Sequence, residues 1–94
     1  MSTNKRHNLV IIGNKPIMNY VVACITLFNE GTGIVKIRAR GKHINKAVDT
    51  VGLIRRVFQP KLKVIKVKTG TDVLTRDDGN TAYVSTIEII ISPN

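Results

Sequence analysis

From Ile34 to Arg40 the residues alternate strictly: Val35, Ile37 and Ala39 share one side, and Lys36, Arg38 and Arg40 share the other. A period of two is the signature of an extended strand, whose successive side chains point to opposite faces. Such a strand needs apolar cover on one face, while its other face stays open as a row of cations. The chain must therefore build a sheet that is packed on one side and exposed on the other.

The rest of the pattern supplies the cover. Leu9-Val10-Ile11-Ile12, closed by Gly13, reads as a short buried strand. Pro16 stands where a first helical residue would, since its missing N–H is not needed there. Ile17, Val21, Cys24, Ile25 and Phe28 form one helical stripe, stopped at Asn29-Glu30-Gly31, where Gly31 is free to take a positive φ. A second helix is expected from His43 to Phe58, with Ile44, Ala47, Val48, Val51, Ile54 and Phe58 as its stripe and Pro60 as its stop. Leu62 to Thr75 and Ala82 to Ile91 are rich in strand-forming residues, and Asp77-Asp78-Gly79-Asn80 between them is a turn. Gly70 is the expected place for a bulge or bend. This hairpin exceeds the usual strand length of about 5–6 residues, so its tip, from Thr71 to Thr81, should project as an arm.

The resulting order is β-α-β-α-β-β. Helical links between the first three strands call for parallel crossovers, and the last two strands form an antiparallel hairpin. The expected fold is α+β, a two-layer sandwich of a mixed four-stranded sheet with both helices on one face and a long C-terminal hairpin arm. At 94 residues the chain is one domain, taken as 8–94 behind a flexible tail at 1–7.

Charge points to the function class. Fifteen Lys and Arg against six Asp and Glu give +9; residues 1–35 carry +2, residues 36–68 carry +10 and residues 69–94 carry −3. A field concentrated in this way attracts polyanions, of which nucleic acid is the commonest soluble one. Lys36, Arg38 and Arg40 would stand about 7 Å apart along their strand, close to the phosphate interval of one nucleic-acid strand. Lys42 and Lys46 follow at the start of the second helix, where unpaired N–H groups also favour an anion. The plain alternative is a solvated strand face, but such faces mix signs, and residues 36–46 hold five cations and no acid. Gly13-Asn14-Lys15-Pro16 is another strand-to-helix turn, either an anion site or a simple tight turn, without the spacing of a Walker loop. Arg76, near the arm tip, suits entry into a groove of duplex DNA or plain solvation.

Other residues point away from catalysis. Cys24 on its apolar stripe reads as a core thiol, and a single cysteine forms no internal disulfide. His7, His43 and Cys24 do not make a metal site, so neither metal nor cofactor is expected. Asp72, Asp77 and Asp78 cluster where turns favour Asp, and no nucleophile, base and orienting group come together. Tyr20, Phe28, Phe58 and Tyr83 are too few for a base-stacking platform. Phe58, after Arg55 and Arg56, closes the core or lies in a subunit contact. No apolar run approaches the roughly 18 residues of a membrane span, and the polar start from Met1 to Asn8 is not a secretory leader. A cytoplasmic location is expected.

Four segments in order carry a resemblance: Asn8-Leu9-Val10-Ile11-Ile12-Gly13-Asn14-Lys15-Pro16-Ile17-Met18-Asn19-Tyr20-Val21, Ile37-Arg38-Ala39-Arg40-Gly41-Lys42, Ile44-Asn45-Lys46-Ala47-Val48-Asp49-Thr50-Val51 and Val84-Ser85-Thr86-Ile87-Glu88-Ile89. Together they resemble the Alba family of small archaeal chromatin proteins. The resemblance implies a fold similar to the C-terminal domain of a bacterial translation initiation factor. It also implies a homodimer that binds double-stranded DNA and RNA with little sequence preference. The loop of Asn14 and Lys15 would lie centrally on the dimer's binding face. The family often has lysine where Asn14 stands, and acetylation of that lysine weakens DNA binding; here Lys15 is the lysine left for such a modification. The resemblance assigns nucleic-acid contacts to Arg38, Arg40, Lys42 and Lys46, groove-reaching arms to the region around Arg76, and a dimer–dimer contact to Phe58.

The expected function is a non-enzymatic, chromosome-associated protein that coats and compacts double-stranded DNA as a dimer and also binds RNA. Dimer–dimer arrays and a heterodimer with a paralogue are further expected assemblies. One rival is a mainly RNA-binding protein, acting in RNA protection or within an RNA-processing complex. Another is a small enzyme holding a phosphorylated substrate at Gly13-Asn14-Lys15-Pro16, though no general base accompanies that loop.

Overall fold

The computed structural model describes residues 8–94; the tail expected at 1–7 lies outside the described residues. Its elements are β1 (Leu9–Ile11), α1 (Ile17–Asn29), β2 (Val35–Arg40), a 3-10 turn (Gly41–His43), α2 (Ile44–Leu53), a π turn (Ile54–Phe58), β3 (Lys63–Thr75) and β4 (Thr81–Ser92). One sheet runs in the order β1-β2-β4-β3. The β1–β2 pair is parallel, and β4 is antiparallel to both of its neighbours. The expected α+β sandwich is therefore the observed one. The crossover from β2 to β3 skips a place in the sheet, and β4 folds back into the gap.

The alternation of β2 fixes which way the sheet faces. Val35, Ile37 and Ala39 are buried, and Ile37 lies opposite Ile89. Val35, Ile37, Ile89 and Ile91 form a floor on which Val21 and Cys24 of α1 and Ala47, Val51 and Ile54 from the second helical segment pack. Each such Ile or Val, fully buried, contributes roughly 1.5–3 kcal/mol. Residues directly opposite in antiparallel strands share a face. Arg38 opposite Glu88, and Glu88 opposite Lys68, therefore mark the open face.

Local departures have local causes. Pro16 is the N-cap of α1 and not its first helical residue. Gly31 does take a positive φ, at 94°, just beyond the helix. Val48, expected in the stripe of the second helix, is 52% exposed, because it lies at the stripe's margin where no described element covers it. That helix also ends early as α-helix. Gln59 N–H donates to Ile54 O at 2.7 Å, an i to i+5 bond that widens the last turn, and Phe58 beside it is 44% exposed. Gly70 is not the bulge: the register shifts between Val64 and Lys66. Gly70 instead permits close approach, since a Cβ there would meet Thr86 Oγ1 at 3.1 Å.

The arm begins where β2 stops. Arg40 pairs with Thr86 and Thr86 with Gly70; beyond them, residues 71–75 and 81–85 pair only with each other. Five residues per strand give a projection of about 17 Å. Its tip is closed by Arg76 N–H donating to Asn80 O, with Gly79 at φ 86°. Among the described residues no helix is long and apolar enough to cross a membrane.

Candidate nucleic-acid interface

Parallel neighbours end at the same edge. The turns that leave β1 and β2 for their helices therefore lie side by side, at the end of the sheet from which the arm projects. The crevice outside the carboxyl ends of parallel strands is a recurrent place for ligands. Ile12 N–H donates to Arg38 O at 2.8 Å and carries the β1–β2 pairing into the first turn. Gly41, at φ 57°, swings the chain out of β2 into the second. Asn14 and Lys15 of the first turn and Lys42 of the second are exposed at this corner. Arg76 is also exposed, but at the far end of the arm.

Two side chains hold the first turn from behind. Tyr20, buried in the first turn of α1, accepts hydrogen bonds at its hydroxyl from the backbone N–H of Gly13 (2.8 Å) and of Lys15 (3.1 Å). Lys46, at the start of α2, donates from Nζ to the carbonyls of Gly13 and Lys15, both at 2.8 Å. Its ammonium also lies 5.9 Å from the centre of the Tyr20 ring. Lys46 is therefore not a member of an outward row of cations, as its place in the sequence led us to expect. The sequence shows Tyr20 only as one of a few scattered aromatics, although it falls between Ile17 and Cys24 at helical spacing and so belongs to the buried stripe.

The strand cations need a second correction. Residues 36–46 contain no acid, but the sheet brings two acids to them. Glu88 of β4 pairs with Arg38 and, at 3.5 Å, with Lys68 of β3. Asp72 of β3 lies 3.5 Å from Arg40. The open face thus sets Lys36, Arg38, Arg40, Lys66 and Lys68 against Glu88 and Asp72 and keeps a positive surplus. The two pairs are unequal. Glu88 is 12% exposed and is held by two cations, whereas Arg40 and Asp72 are both more than half exposed. The Arg38 hydrogen bond, aided by the Arg38 and Lys68 charges and opposed by burial, holds the Glu88 carboxyl below the usual range. Exposed pairs such as Arg40–Asp72 are worth about 0.2–1 kcal/mol, so a phosphate can displace the carboxylate.

A trough of about 620 Å³ follows this ground, lined by Ile11, Arg38, Arg40, His43, Lys68 and Glu88 among others. Asp72 lines it as well, so Arg38, Arg40 and Lys68 meet both of their carboxylate partners there. Cys24 lies away from it in the core, where burial pushes the thiol up to about 12 and leaves it un-ionised at neutral pH.

The sequence profile of the Alba family matches residues 8–72. The DNA/RNA-binding protein Alba of Methanococcus maripaludis is 46% identical over 85 residues, which span 89% of this chain and 96% of that protein. The DNA/RNA-binding protein Alba of Methanocella arvoryzae is 42% identical over 84 residues, covering 89% of this chain and 88% of that one. Among solved structures, Alba from Thermoplasma volcanium matches with a TM-score of 0.84 at 41% identity, over 90% of this chain and 99% of that chain.

Proposed function

Because this chain belongs to the Alba family, we propose that it is an architectural protein that coats and compacts double-stranded DNA as a dimer with little sequence preference, and that it also binds RNA. The observation that carries this reading is the convergence of two strand-to-helix turns, with exposed Lys15 and Lys42, beside Arg40 at the base of the arm. Cations grouped at one corner can follow a phosphate chain without reading its bases. Asn14, exposed next to Lys15 in the first turn, adds a neutral donor to phosphate oxygens. Arg76, carried out by the arm, reaches the neighbouring groove. The relatives' names, DNA/RNA-binding protein, favour RNA as a second partner.

The dimer has its own support. Every residue of β3 is exposed in the single chain, including Val67 and Val73, whose partners Ile89 and Tyr83 place them on the apolar side of the sheet. A second copy would cover them and double the charge offered to a duplex. The exposed Phe58 suits a further contact between dimers, and the exposed Lys15 is the place where acetylation would remove charge from the corner. In this reading the protein is chromosome-associated and acts by binding alone.

The test is a gel-shift salt series on two unrelated duplexes and one structured RNA. Counterion release predicts that log K falls with log salt by about 0.9 for each phosphate contacted on DNA, with the same slope on both duplexes. Strong preference for one duplex would defeat the non-specific reading, and binding confined to RNA would transfer the function to the RNA-binding rival.

A further inference from the structure

Resting on the nucleic-acid reading above, we infer that Tyr20 and Lys46 are positioning residues. They clamp the β1–α1 loop so that Lys15 stands out toward a phosphate, while Lys46 acts on the loop backbone and not on the polyanion. Four backbone groups, the N–H and C=O of Gly13 and of Lys15, are met by only two side chains. The Tyr20 hydroxyl takes both N–H groups and the Lys46 ammonium takes both carbonyls. The two side chains come from different helices, and the Lys46 ammonium lies over the Tyr20 ring, 5.9 Å from its centre. The loop is thereby tied to α1 and α2 at once. Thr50, buried one turn along α2, satisfies its own hydroxyl by donating to Lys46 O at 2.7 Å.

The clamp changes how this loop can bind an anion. A loop at a helix start usually offers bare N–H groups to phosphate. Here the N–H groups of Gly13 and Lys15 already have a partner, which withdraws two of the loop's backbone donors and gives outward side chains, above all Lys15, the larger share of recognition. The orientation of Lys15 is then set by bonds its own side chain does not make. Lys46, half-buried and bonded twice within the protein, would give up two hydrogen bonds by turning to a phosphate.

Tyr20→Phe tests the clamp without changing charge. Amide hydrogen exchange at Gly13 and Lys15 in the free full-length chain should speed up. Duplex affinity should fall by the factor seen for Lys15→Ala, about eightfold at ~0.1 M salt for each phosphate that is no longer neutralised. Adding Tyr20→Phe to Lys15→Ala should bring no further loss, and the salt slopes of the two single variants should match. Lys46→Met should behave in the same non-additive way. Unchanged exchange in Tyr20→Phe would overturn the clamp. So would a Lys46→Met loss that adds in full to Lys15→Ala with its own unit of salt slope, since that marks a direct phosphate partner. If Lys46→Met does not fold, Tyr20→Phe decides alone. If the unaltered protein binds no nucleic acid, the functional reading falls, while the exchange measurement still decides the clamp.

Discussion

On the open face of the sheet, Arg38 and Arg40 each sit beside a carboxylate. At the corner made by the two strand-to-helix turns, exposed Lys15 and Lys42 form no ion pair among the described residues. Both regions are cationic, yet the two arginines of the first are answered within the chain and the two lysines of the second are not. A phosphate arriving at the corner displaces water; one arriving at Arg38 must also displace Glu88. The difference teaches that a row of basic residues measures attraction only after the neighbouring strands have been counted.

The comparison can be broken most easily at the corner. Lys15→Ala combined with Lys42→Ala should lower duplex affinity about sixtyfold per protomer at ~0.1 M salt, as two phosphates of roughly 0.9 slope each require. A salt-series titration reads both the loss and the slope, and a loss no larger than that of Arg38→Ala would erase the distinction between the regions. Arg40→Ala should come next, at about three- to eightfold, because its exposed partner Asp72 yields readily. Arg38→Ala should fall below it, since Arg38 is committed to Glu88.

Glu88→Gln sharpens the contrast from the other side. Freeing Arg38 and Lys68 should raise affinity by up to about eightfold at ~0.1 M salt for each cation that then reaches a phosphate, and steepen the salt slope. Loss of affinity would mean that the carboxylate orients the cations for binding instead of restraining them. The smallest effect is in pH. The folded pKa of Glu88 lies below the unfolded value, which is about 4.3 for a glutamate. Its stabilisation is therefore complete above that value and is lost as pH falls through the folded pKa. Carboxyl-carbon NMR should place its midpoint below that of a free glutamate, and Arg38→Ala should move it upward.

Much of the fold was legible because its signals are local. The alternation of β2, the stop at Gly31 and the turn at 77–80 each depend on neighbours a few residues apart, and each is found where expected. What escaped depends on distance along the chain. Arg38 meets Glu88 fifty residues away, and Lys46 meets the Gly13 and Lys15 carbonyls more than thirty residues away. No local window contains either pair, so a row free of acids in sequence is not free of them in space. Val48 shows a related gap: periodicity gives the direction in which a side chain points, but not whether anything lies there to cover it. Gly70 shows another, since a glycine within a strand marks either a bulge or a close approach, and only the register between β3 and β4 separates the two.

The central claim is that nucleic acid meets this protein at the end of the sheet where the two turns and the arm lie. Arg55, Arg56, Lys61 and Lys63, on the π turn and around the start of β3, offer an exposed basic cluster toward the opposite end. Amide chemical shifts of the labelled protein, followed as a duplex of arbitrary sequence is added, distinguish the two ends directly. The account predicts the largest changes at Asn14, Lys15, Arg40, Gly41 and Lys42, with smaller ones along the arm to Arg76. Changes centred on Arg55, Arg56 and Lys61, with the turns unmoved, would contradict it.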